Sequence, residues 1–186
     1  SIAQLLVAPD FGIAPGATIY NYASVPNSND AGSDCALGNR PSALGDHSGL
    51  IEEALNDGVG IIVISSNIFS RDRESLRWAV SRAVLEGVPV VSMGNESTRN
   101  QDRSLDLWGG VVGVAALERD GSYADYSNYG DGVSIAAVGE IRVRRASENK
   151  VDSMRGTSFA APMAAGILAL AWSRFSSGDV TADQVL

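Results

Sequence analysis

Apolar residues recur along this chain at two spacings, and the alternation between them outlines the fold. Leu50, Ile51, Ala54 and Leu55 repeat at helical spacing, ended by Gly58 and Gly60. Leu76, Ala79, Val80, Ala83 and Val84 do the same, with Ser70 or Asp72 as N-cap and Gly87 as the stop. Between and after them lie uninterrupted β-branched and small apolar runs at 61–64, 88–91 and 111–115. Such runs suit strands buried on both faces. Strand, helix, strand with connections of a few residues predicts an α/β fold, a mostly parallel sheet with helices on both faces in three α/β/α layers. Residues 2–8 read as an apolar helix stopped by Pro9 and Gly12, residues 17–22 as a short strand, and 24–45 as a long polar loop. Residues 159–172 form the longest apolar stretch, and 167–175 read as buried helix.

Composition narrows the class. A chain of 186 residues with 45% hydrophobic and 19% charged residues has the make-up of one ordinary globular domain. Its net charge of −8 makes nucleic acid and anionic membrane poor partners. No apolar run reaches the roughly 18 residues a spanning helix requires. Cys35 is alone, so no internal disulfide forms, which suits a cytosolic protein and many bacterial secreted ones alike.

Two readings compete for the segment that opens the last helix, Gly156-Thr157-Ser158-Phe159-Ala160-Ala161-Pro162-Met163-Ala164-Ala165-Gly166. Local physics alone favours a helix cap. The same arrangement also presents a hydroxyl where free N–H groups and the helix dipole favour a developing anion. Gly156 permits the tight turn, Pro162 is expected near the first turn, and the alanines keep the helix slim. In parallel sheets chemistry gathers beyond the carboxyl ends of the strands. Ser65-Ser66-Asn67 and Ser92-Met93-Gly94-Asn95 stand at two such ends.

The eleven-residue string around Ser158 closely resembles the nucleophile motif of the subtilisin-like serine proteases (subtilases, peptidase S8). The resemblance runs in family order through most of the chain. Ile13-Ala14-Pro15-Gly16-Ala17-Thr18-Ile19-Tyr20 resembles a strand entry. Val90-Val91-Ser92-Met93-Gly94-Asn95-Glu96 resembles the oxyanion segment, and Tyr126-Ser127-Asn128-Tyr129-Gly130 a later turn. It implies a serine endopeptidase acting on polypeptides. Ser158 would be the nucleophile, and Asn95 would donate to the oxyanion beside the Ser158 N–H. Ser65, Ser66, Asn67 and Gly94 would form the substrate-binding edge. Two positions depart from the family: Asn67 replaces a usual glycine, and Val138 stands where Ala-Pro-Gly would have its proline.

A serine hydroxyl needs a base, and the base a carboxylate. The only histidine, His47, follows the strand-entry segment instead of preceding it, and reads as a capping or solvated residue. Asp10, between Pro9 and Phe11, is out of context for the family aspartate. Residues 1–8 align just after the family's His-Gly-Thr motif, so residues 1–186 are expected to be the C-terminal part of a catalytic domain. The expected partner is an N-terminal fragment carrying the first strands, Asp and His; without it the sheet would have a central gap and fold poorly alone. The alternatives are a catalytically inactive pseudoprotease with a binding role, and an unrelated nucleotide-binding domain, for which no Gly-x-Gly-x-x-Gly follows a strand. No cofactor is evident. Calcium is common in such proteases, but Asp30, Asp34 and Asp46 show no ligand spacing. The resemblance implies secretion.

Overall fold

The computed structural model describes residues 2–22, 47–66, 73–94, 99, 105–145, 150–175 and 184. Chain order is α1 (Ile2–Val7), α2 (His47–Asn56), β1 (Ile62–Ile64), α3 (Arg73–Leu85), β2 (Val90–Met93), a 3-10 turn (Leu105–Leu107), β3 (Val111–Leu117), β4 (Ile135–Val138), β5 (Glu140–Arg145), β6 (Lys150–Arg155) and α4 (Thr157–Arg174).

Strands β1 to β4 form one parallel sheet in sequence order, with Val63 beside Val91, Val91 beside Val112, and Ala116 beside Ala137. Each face buries a different layer. Ile62, Ile64, Val90 and Val111 meet Ile51, Leu55, Leu76 and Val80 of α2 and α3. Val91, Met93, Val112, Val114 and Ala116 meet Ala160, Ala161, Ala164, Ala165 and Leu168 of α4. The apolar runs are therefore continuous because both faces of the sheet are covered. The three α/β/α layers are those the periodicity predicts.

Small residues let α4 approach the sheet and the N-terminal turn closely. A Cβ on Gly166 would come within 3.0 Å of Ile13 Cγ2 and 3.2 Å of Leu6 Cδ2, contacts tighter than ordinary packing. Helix α1 ends at Val7, and the chain then folds back, with the Ile13 N–H donating to the Leu5 carbonyl at 3.0 Å.

Three local expectations are corrected. Residues 17–22 do not form a strand; they run outside the sheet without a ladder partner. A strand is held by its neighbours, and here a groove of about 1000 Å³ separates this segment from β1. Residues 167–175 are not uniformly buried: Leu168 faces the sheet, whereas Ile167 is 55% exposed, with Leu170 and Phe175 also exposed. One helix can turn only one stripe toward one sheet. Pro162 lies past the first turn, six residues into α4. Its ring nitrogen cannot donate to the Ser158 carbonyl four residues back, so that carbonyl lacks its helical donor.

The periodicity leaves residues 140–155 unassigned. They form an antiparallel hairpin, with Glu140 opposite Arg155 and Val143 opposite Asp152. Ile141 and Val143 point inward and pack with Leu5 and Phe159. The expected loop at 24–45, the caps Ser70 and Asp72, Cys35, Asp30, Asp34 and Asp46 lie outside the described residues.

Candidate active site

Strands β2 and β3, the hairpin β5–β6 and the start of α4 converge on Ser158. Gly156 is the N-cap, at φ 156° and ψ 154°, backbone space essentially open to glycine alone. Its N–H donates to the Gly139 carbonyl at 3.0 Å, and the Gly139 N–H donates to the Leu117 carbonyl at 2.9 Å. The turn into α4 is thereby pinned to the end of β3. A Cβ on Gly139 would lie 2.7 Å from the Tyr126 hydroxyl and 2.8 Å from Ala116 Cβ, which explains a glycine there.

Thr157 is fully buried, and its hydroxyl donates to the Gly94 carbonyl at 3.1 Å. This bond ties the first residue of α4 to the residue just beyond β2. Ser158 follows, partly buried, and its hydroxyl donates to Met93 Sδ at 3.3 Å. The Ser158 N–H belongs to the first turn, where no carbonyl within the helix can pair with it. The hydroxyl and a backbone donor thus sit together over the carboxyl end of β2, at the positive end of an 18-residue helix.

Gly94 is held from the other side. A Cβ there would fall 1.9 Å from Asn128 Nδ2 and 2.2 Å from Asn128 Cγ. Asn128 is fully buried, and its Oδ1 accepts from the Ser127 hydroxyl at 3.4 Å. The Ser127 oxygen in turn accepts the Ala116 N–H at 2.7 Å, and the Tyr123 hydroxyl donates to the Asn128 carbonyl. Beneath this network lies Asp106, 4% exposed, with neither carboxylate oxygen closing a hydrogen bond among the described residues. Burial pushes its pKa up to about 6.

Of the residues singled out in sequence, Ser158 and Gly94 come together at the end of β2 through Thr157 and Met93. Ser65 and Ser66 lie at the end of β1, on the groove that 17–22 faces, and the Ser65 hydroxyl is buried with no partner among the described residues. Asn95 and Asn67 lie outside the described residues. His47 opens α2 and lines the same groove; the described partner of Ser158 is a sulfur, not an imidazole. Thr157 and Asn128 lie within segments that carry the resemblance, but without a role assigned to them, and Asp106 shows no sequence signal; each is an ordinary polar residue until the fold buries it. Among the described residues no grouping of three or more His, Cys, Asp or Glu side chains fits a metal, and no helix is long and apolar enough to cross a membrane.

Comparison with known proteins settles the kinship. The family model of peptidase S8, the subtilase family, matches residues 6–185. The chain belongs to the subtilase family. It is 32% identical over 166 residues to the thermostable alkaline protease of Halalkalibacterium halodurans, covering 89% of this chain and 43% of that protein. It is 28% identical over 178 residues to subtilisin DY of Bacillus licheniformis, covering 94% of this chain and 60% of that protein. The chain therefore spans about half the length of these relatives. Among solved structures, the PatG macrocyclase in complex with peptide superposes with a TM-score of 0.71 at 26% identity, over 98% of this chain and 55% of that one. The subtilisin-like fold and the serine-protease kinship follow, and the subtilase relatives are hydrolases of the protease class.

Proposed function

We propose that this chain is the C-terminal part of a subtilase catalytic domain, and that the protein is a serine endopeptidase acylated on Ser158. The observation that carries the reading is the Ser158 hydroxyl and N–H at the start of α4, fixed to the end of β2 by the Thr157–Gly94 bond. In the proposed reaction the Ser158 oxygen attacks a peptide carbonyl, and its proton passes to a histidine. The Ser158 N–H and the Asn95 side chain hold the oxyanion. Collapse of that intermediate expels the amine, which takes the proton back, and water then releases the acyl group by the same route. Ser65, Ser66, Asn67 and Gly94 provide the edge along which an extended polypeptide pairs as an added strand. Membership of a family that includes an extracellular protease supports secretion.

The base and its orienting aspartate come, in this reading, from a strand-bearing segment beyond these residues, seated in the groove beside β1. Two features support it. Strand β1 is an edge of the four-stranded sheet, and the groove beside it is walled by apolar residues such as Ile51, Ile62, Ile64 and Trp172. An apolar sheet edge with unpaired backbone groups is a ready site for a further strand. The second reading, a binding protein on a protease fold, draws on the described partner of Ser158 being Met93 sulfur.

A fluorophosphonate probe separates the two. Intact-mass analysis of the natural protein should show one adduct, located on Ser158 by peptide mapping and absent in Ser158→Ala. A folded sample that stays unlabelled would leave the binding reading.

A further inference from the structure

Ser158 is bonded to a group that the proposed reaction does not use. Its hydroxyl donates to the thioether sulfur of Met93 at 3.3 Å, within hydrogen-bonding reach for so large an acceptor atom. Both partners are held in place. Met93 is the last residue of β2, buried, with Val114 of β3 beside it. It shares a core layer with Ala160, Ala161 and Ala164 of α4. The Ser92 hydroxyl donates to the Met93 carbonyl at 3.1 Å, and the Thr157 hydroxyl donates to the Gly94 carbonyl, also at 3.1 Å. Residues 93 and 94 are thus joined to residues 158 and 157, and the two adjacent links hold the end of β2 across the start of α4.

We propose that Met93 is a positioning residue whose sulfur is the resting acceptor of the Ser158 proton, so that only the fraction of Ser158 released from it reacts. The consequence for reactivity rests on the reading of Ser158 as nucleophile given above. A hydroxyl carries one proton and donates it along one direction at a time. While the Ser158 O–H points at Met93 Sδ, it does not point at an imidazole nitrogen, and attack on a carbonyl needs the second arrangement. A thioether is a weak acceptor, so the hold is shallow and an imidazole can take the proton over. The reactive arrangement is then one of two, and the observed rate is the intrinsic rate scaled by its share. Removing the sulfur removes the competitor and raises that share. The sign separates this role from packing: loss of a supporting contact slows the serine, whereas loss of a competing acceptor speeds it.

The test uses the natural protein carrying ¹³C-methyl methionine, with Ser158→Ala and Met93→Leu. Leucine nearly matches methionine in volume and accepts no hydrogen bond. Norleucine in place of all the methionines puts a CH₂ group where the sulfur was and keeps the shape, a second arm should leucine disturb the packing. The chain has three methionines, so Met154 and Met163 provide reference signals. Ser158→Ala should move the Met93 methyl signal more than either reference. Fluorophosphonate labelling of Ser158 should run severalfold faster in folded Met93→Leu and in the norleucine protein than in the natural one. A Met93 methyl signal indifferent to Ser158→Ala, or labelling unchanged or slowed once the sulfur is gone, would overturn the proposal. If none of these proteins gives an adduct, the nucleophile reading fails instead, and the methyl signal alone decides whether the sulfur holds the hydroxyl.

Discussion

Asp106→Asn should stabilise the protein above pH 6 and do nearly nothing below pH 4. Asp106 is 4% exposed and its oxygens have no hydrogen-bond partner among the described residues, so the native state disfavours the charged form. Its pKa rises from 3.8 to about 6. A raised carboxyl pKa means that the native state holds the proton more tightly than the unfolded chain does. The resulting stability is fully present below 3.8 and is lost as pH climbs through about 6. At about 1.36 kcal/mol per pH unit, the loss amounts to about 3 kcal/mol. That is a large part of the roughly 5–15 kcal/mol that holds a domain folded. Asparagine has nearly the same shape and never ionises, so the variant escapes the loss. The assay is urea unfolding of both proteins at half-unit steps from pH 4 to 8. Other titrating groups bend both curves alike, and the difference between them isolates residue 106. The difference should rise by about 3 kcal/mol across this range and level off above pH 7. Parallel curves would mean that Asp106 is solvated or paired when charged, and the account of its burial would fail.

Gly94→Ala should cost more than about 3 kcal/mol, since its Cβ would land 1.9 Å from a fully buried Asn128 amide; calorimetry showing less than about 1 kcal/mol would mean that Asn128 can withdraw. Thr157→Val keeps shape but strands the Gly94 carbonyl, for a loss of about 1–3 kcal/mol in chemical denaturation. The same variant should slow Ser158 labelling, and an unchanged rate would show that the bond steadies the fold without placing the serine.

Much of the architecture was legible in the pattern of apolar positions. The runs at 61–64, 88–91 and 111–115 became β1, β2 and β3, with starts displaced by up to two residues. The helical spacing from Leu50 and from Leu76 became α2 and α3. Buried parallel strands and one-faced helices write their environment into every residue, so a local reading suffices. The hairpin 140–155 escaped because its inward residues, Ile141 and Val143 opposite Met154 and Asp152, alternate too briefly among charges. Residues 17–22 failed in the opposite sense: they look like a strand, but a strand is made by pairing, and the neighbouring position holds a groove.

By itself, the sequence determined the layer order, the helix that begins beside Ser158, and the kinship carried by the motif around it. Those are properties of contiguous residues, set by backbone preference and by which side chains avoid water. Tertiary structure alone decided which distant groups meet. It brought Thr157 to Gly94 across 63 residues and laid Asn128 on that same glycine. It also closed Asp106 away from solvent. Hydrogen bonding and burial act on distance in space, and no local pattern encodes the distance between residues that only the folded sheet makes neighbours.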